Sequence, residues 1–150
     1  MNHVERAVEL FVEGYNCAQA VAAAFGDLTG LDEKTAAKMA SCFGGGMGRM
    51  REVCGAVSGM FMVLGALYGY DNSDEDGKKK ELYKQVQALA EKFREENGSI
   101  ICREILKNPP SDPNPSPRTA EYYAKRPCAR MVMTAARLMD EFIAQHPMEG

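Results

Sequence analysis

"FGGGMGRMREVCGAVSG", Phe43 to Gly59, crowds six glycines around one thiol, Cys54, with Arg49 and Arg51 just ahead of it. A chain that only had to bury apolar surface gains nothing from its weakest ordinary helix former at this density, because each glycine costs a helix about 1 kcal/mol relative to alanine. Glycine suits backbone of positive φ and places where another group must come close. The stretch therefore reads as a tight loop over Gly44, Gly45, Gly46 and Gly48, followed by an apolar helix from about Cys54 to Tyr70. Gly55 and Gly59, four apart, let a second helix pack beside Cys54. Gly65 and Gly69 read as a tight helix contact and a helix stop.

The remaining chain is helical by its apolar spacing. Val4, Ala7, Val8, Phe11 and Val12 place a helix near residues 3 to 13, interrupted at Gly14-Tyr15. "NCAQ" is a capping box, Asn16 with Gln19, and opens a second helix that stops at Gly26. Asp32 caps a third, "EKTAAKMASCF", ending at the triple glycine. "DNSDEDG" is a polar turn before a long helix, "KKKELYKQVQALAEKFREEN", with Leu82, Val86, Leu89 and Phe93 on one face and Gly98 at its end. Ser99 is expected to cap a short helix, "IICREIL". "NPPSDPNPSPR" holds five prolines in eleven residues, which excludes regular helix and makes it an extended surface connection. "TAEYYAK" reads as a short turn. Pro127 opens the last helix, with Val132, Ala135, Ala136, Met139, Phe142 and Ile143 facing inward. The expected fold is all-α: one domain over residues 1 to 150, a helical bundle with a glycine-rich central helix and a proline-rich surface connection.

Composition narrows the function classes. The 150 residues are 45% hydrophobic and 26% charged, with a net charge of −3, so neither a nucleic-acid backbone nor an anionic membrane is an expected partner. Val53 to Tyr70 carries no charge over 18 positions, the lower limit for a spanning helix, but its serine and four glycines fit a buried helix better. Met1 to Leu10 lacks the apolar core of an export signal, and the expected location is cytoplasmic. Five cysteines in such a chain are not expected to form a disulfide framework.

Four of the five fall in first turns of expected helices: Cys17 after Asn16, Cys54 after the glycine loop, Cys102 after Ser99 and Cys128 after Pro127. Helix N-termini stabilise a thiolate, by ~0.3–1 kcal/mol for an exposed charge, and are where cysteines of lowered pKa occur. At least two of the four are therefore expected to titrate below the ordinary value of about 8.5. If those helix starts converge, they form a pocket for anionic sulfurs or for a cofactor bound through them. Gly45, Gly46, Gly48, Arg49 and Gly55 are the candidate cofactor-binding residues around it, the loop amides serving as an anion nest. Cys42 lies at a helix end and is expected to stay protonated as apolar filler beside Met39 and Phe43.

"GYNCAQAV", "FGGGMGRMREVCGAVSG", "GSIICREIL" and "RPCARMV" resemble the redox-active family named for its pattern C_GCAxxG_C_C, here with "CGAVSG" as the central element. The resemblance covers nearly the whole chain and maps the pattern's four cysteines onto Cys17, Cys54, Cys102 and Cys128. It implies redox activity, with an iron–sulfur cluster suspected in the family, and a helical domain similar to one in split-Soret cytochromes. No C-x-x-C-H is present, so covalent haem attachment is not implied; without a twin-arginine pattern in its first residues, the exported branch of the family is not expected.

Three functions compete. In the first, the four cysteines ligate an iron–sulfur cluster or another thiolate-bound metal for electron transfer, although separations of 37, 48 and 26 residues give no local ligand signature. The second is a cofactor-free thiol–disulfide oxidoreductase. The third is a helical binding module with packing cysteines. The expected partner is a redox protein or a small molecule, with a second copy of the chain as a candidate. Arg49 and Arg51 are either surface charges or, beside the thiols, groups that lower a thiol pKa or receive an anionic substrate. Asn72, Asp74, Asp76 and Gly77 resemble the start of a calcium loop, but Tyr83 stands where its bidentate Glu would be. His3 and His146 have no sequence neighbours that make a metal site.

Overall fold

The computed structural model describes residues 2–125 and 127–148; Arg126, within "RPCARMV", lies outside them. The fold is all-α. Helix α1 spans His3–Glu13, α2 Cys17–Ala24, α3 Gly26–Thr29, α4 Glu33–Ala40, α5 Gly55–Tyr68, α6 Asp76–Asn97, α7 Cys102–Ile105, α8 Ala120–Lys125 and α9 Cys128–Gln145. Among the described residues, none of these helices is long and apolar enough to cross a membrane.

Local chemistry fixes most of the starts and stops. Asn16 accepts from the Gln19 backbone while Gln19 reaches back to the Asn16 amide, so two N–H groups without helical partners are satisfied at once. Asn2 and Glu5 do the same for α1, and Asp32 caps α4. Gly14 and Gly98 close α1 and α6 in the left-handed conformation.

Helix α2 is the centre of the bundle. Ala18 and Ala20 to Ala24 are all buried, as expected of a helix that is apolar all round, and α1, α4, α5 and α9 all pack on it. Alanine lets the axes approach, and α5 contributes glycine at the contact. A Cβ at Gly59 would stand 2.7 Å from the Ala18 carbonyl oxygen, and one at Gly55 would stand 3.2 Å from the Ala18 nitrogen. The consequence for function is position: α2 and α5 are held start beside start, and Cys17 and Cys54 with them.

Several boundaries differ from expectation. Gly26 does not end α2; the chain turns at Phe25, and Gly26 begins the four-residue α3. "TAEYYAK" forms α8, helped by Thr119 Oγ1, which accepts from the Tyr122 amide at 3.1 Å. Ser99 does not cap α7. Its Oγ accepts from the Ile101 amide at 2.9 Å and donates to Glu104 at 2.7 Å, while Ile101 bridges to Val53 in antiparallel fashion and becomes the residue before the helix. Gly65 makes no tight contact, since a Cβ there would meet nothing within 4 Å. Gly69 does end α5.

Candidate functional site

From Gly45 to Arg49 the backbone is wound the wrong way for L-residues. Gly45, Gly46, Met47, Gly48 and Arg49 all have φ between 60° and 72°, a single turn of left-handed backbone, and Arg51 follows at 63°. Glycine adopts this freely, but Met47, Arg49 and Arg51 do so at a cost of about 1–2 kcal/mol each. Strain of this kind persists only where the surroundings impose it, and it gathers at functional sites. Here the imposing contacts are hydrogen bonds. The amides of Gly48 and Arg49 bond to the Gly44 carbonyl, and those of Arg51 and Glu52 to the Gly45 and Gly46 carbonyls. The Gly48 amide is thereby engaged within the loop and is not open to the expected anion nest. The carbonyls of Glu52 and Arg51 in turn accept from the Cys102 and Arg103 amides at 2.6 and 3.1 Å. The loop is thereby clamped onto the start of α7.

Its strained conformation aims two arginines at the proline-rich connection. Arg49 Nε donates to the Asp112 carbonyl at 2.8 Å and its Nη1 to Ser116 Oγ at 2.9 Å. Arg51 Nε donates to the Pro110 carbonyl at 2.9 Å. From the other side Arg118 donates to the Tyr15 carbonyl at 3.0 Å and lies over the rings of Phe11 and Tyr122. The connection is a strap tied at both ends across a cavity of about 470 Å³, a size that suits a small ligand.

The four cysteines meet there. Cys17, Cys54, Cys102 and Cys128 all line this cavity, and so do Gly45, Gly46, Gly48, Arg49 and Gly55. Cys17, Cys102 and Cys128 are the first residues of α2, α7 and α9, and Cys54 is the cap of α5. All five cysteines are thiols. Cys17 and Cys128 share the cavity wall, and the interaction of the Cys17 thiol with Cys128, together with burial, holds it well above the ordinary thiol value. Cys54 lies close enough to Cys128 and Cys102 to feel their charge.

For Cys17 and Cys54 the titration runs opposite to the expectation. Burial pushes the Cys54 thiol up to about 12 from an ordinary 9.0, although the amides of Ala56 and Val57 pull it the other way. That displacement is worth roughly 4 kcal/mol, several times the ~0.3–1 kcal/mol that a helix terminus gives an exposed charge. Desolvation wins. The expectation came from treating the helix start as though it faced water.

Cys42 also differs from expectation. It sits in the 3-10 turn Ser41–Phe43 after α4 and is exposed, as is Met39, so its sulfur fills no core volume. Arg51, conversely, is no surface charge: it is only 3% exposed, and its Nη1 donates to the Cys102 sulfur at 3.7 Å.

Four cysteines in order are what the family's pattern names, and its sequence model, described as "Putative redox-active protein (C_GCAxxG_C_C)", matches residues 15–142. The chain belongs to the C_GCAxxG_C_C family. No curated protein and no solved structure matches it. The family is described as redox-active, and its description names no cofactor. Among the described residues, no three His, Cys, Asp or Glu side chains are grouped as a metal-ion ligand set, so the sulfurs as placed do not fit a single tetrathiolate ion.

Two features lay beyond sequence reasoning. The Cys17–Cys128 pair joins residues 111 positions apart with no local signal. His3, which showed no partner in sequence, is held between Asp140 at 2.6 Å and Asp27 at 2.9 Å and stacks on Phe25.

Proposed function

We propose that this protein is a dithiol–disulfide redox protein whose reacting pair is Cys17 and Cys128. The observation that supports the reading is the placement of these two interacting thiols at the starts of two helices, on the wall of one cavity. A pair in contact closes to a disulfide without rebuilding the bundle, whereas a metal site requires the sulfurs to regroup.

Cys17, kept protonated by its interaction with Cys128 and by burial, is the resolving thiol in this reading, and Cys128, at the start of the 18-residue α9, is the attacking sulfur. Its thiolate attacks one sulfur of a substrate disulfide; a Cys128–substrate bond forms, the substrate S–S bond breaks, and the departing thiolate takes up a proton. Cys17 then gives up its proton and attacks the Cys128 sulfur, releasing the second substrate thiol. The substrate gains two electrons and two protons, and the chain ends with a Cys17–Cys128 disulfide. Cys54, held protonated by burial, and Cys102, against Arg51, complete the wall without entering the exchange.

Single-turnover reaction with a chromogenic disulfide tests this. Wild type releases two substrate thiols per chain. Cys17→Ser releases one and stalls as a mixed disulfide on Cys128, and Cys128→Ser loses the fast phase. Equal stalling by Cys54→Ser or Cys102→Ser, with Cys17→Ser unaffected, would overturn the assignment.

A further inference from the structure

We infer that Arg51 is the anchor of a small-oxyanion site inside this cavity, so that the disulfide substrate of the proposed reaction carries a carboxylate or similar anionic group; the substrate class rests on the dithiol reading, the anion site does not. Arg51 is buried, lines the cavity, and has two of its three nitrogens engaged, Nε with the Pro110 carbonyl and Nη1 with the Cys102 sulfur. Its Nη2 is buried with no hydrogen-bond partner among the described residues. A buried, unsatisfied donor on a permanent cation is costly to leave unmade. Its neighbour Arg49 differs: its nitrogens bond to the strap, with Asp112 3.9 Å away.

The electrostatics agree. Among the described residues the cavity wall contains three arginines, Arg49, Arg51 and Arg118, and no acidic side chain, inside a chain whose net charge is negative. A concave site of one sign focuses potential and raises the local concentration of opposite charge. The chain also holds Arg51 in the left-handed conformation to keep it here. A guanidinium with a free N–H edge suits a carboxylate or another oxyanion.

Paired alkylating reagents of nearly equal size, iodoacetate and iodoacetamide, read the site without any redox turnover. Labelling is followed residue by residue by mass spectrometry, with exposed Cys42 as the internal reference. The ratio of iodoacetate to iodoacetamide labelling at Cys102 should exceed that at Cys42 by about tenfold, the scale of one charge-assisted hydrogen bond, and Arg51→Gln should abolish the excess. Should Arg51→Gln fail to fold, wild type alone decides: propionate should slow iodoacetamide labelling of Cys102 but not of Cys42, and chloride at equal ionic strength should not. Equal ratios at the two cysteines, an excess that survives Arg51→Gln, no protection by propionate, or a Cys102 that neither reagent reaches would each overturn the site. Charge-selective labelling in a chain that reduces no disulfide would retain the anion site and discard the dithiol reading. Reduction of neutral and anionic disulfides at equal rates would do the opposite.

Discussion

Gly46 lies against Cys102 so closely that a Cβ on the glycine would stand 2.6 Å from the Cys102 Cβ, 2.8 Å from the Glu52 nitrogen and 2.9 Å from the Arg51 Cα. Three chemistry-bearing positions thus depend on one absent methyl. Gly46→Ala is expected to combine the left-handed penalty, about 1–2 kcal/mol, with overpacking of about 1–3 kcal/mol. Urea unfolding should show a loss of roughly 2–5 kcal/mol. In Gly65→Ala, where the helix is exposed and a Cβ meets nothing, stability should instead rise by about 0.5–1 kcal/mol.

That contrast also shows what was legible in the sequence. Helix starts were, because Asn16 with Gln19, and Asp32, act on amides within three residues of themselves. The concentration of cysteines at those starts was legible for the same reason. What burial does was not. Whether Cys54 faces water or protein depends on α2 and α9, set far away in sequence, and so the sign of its titration was lost. The left-handed φ of Arg49 and Arg51 was equally hidden, since neither residue prefers it; only the clamp onto Cys102 and Arg103 imposes it. Ser99 misled because a serine three residues before a helix can bond the preceding turn as readily as the helix itself.

Cys54 makes alkaline stability depend on pH. Its thiol is held near 12 in the folded chain against an ordinary 9.0, so the folded state keeps a proton that the unfolded state gives up. The stabilising contribution is whole below about pH 9 and falls as pH rises toward about 12. Urea midpoints of wild type should drop over that window, and those of Cys54→Ala should drop less. Parallel pH profiles for the two proteins would contradict the burial account.

His3 works in the neutral range. Burial opposes its charge, but the hydrogen bonds to Asp140 and Asp27 outweigh burial and raise its pKa. Its contribution is therefore complete below about pH 6.5 and is lost as pH rises through the raised folded value. Wild type should lose stability between mildly acid and mildly alkaline buffer, and Asp140→Asn should flatten that slope. A wild-type urea midpoint that does not fall across this range would remove His3 from the account.

Cys42, exposed at the end of the turn after α4, should be the first cysteine modified by iodoacetamide at neutral pH. Cys42→Ala should alter stability by no more than about 0.5 kcal/mol and leave disulfide reduction intact. A Cys42→Ala chain that unfolds early or no longer reduces disulfide would show a structural or chemical role that its exposure does not suggest.

The most direct measurement of the central claim is the location of the first disulfide formed when the reduced chain, purified without oxygen, is oxidised by a limiting amount of small-molecule disulfide. After blocking the remaining thiols, peptide mapping should find Cys17 joined to Cys128, with Cys42, Cys54 and Cys102 alkylated and helix content unchanged. Stoichiometric metal and inorganic sulfide in that preparation, released only when several of the four cavity cysteines are blocked, would contradict the dithiol account.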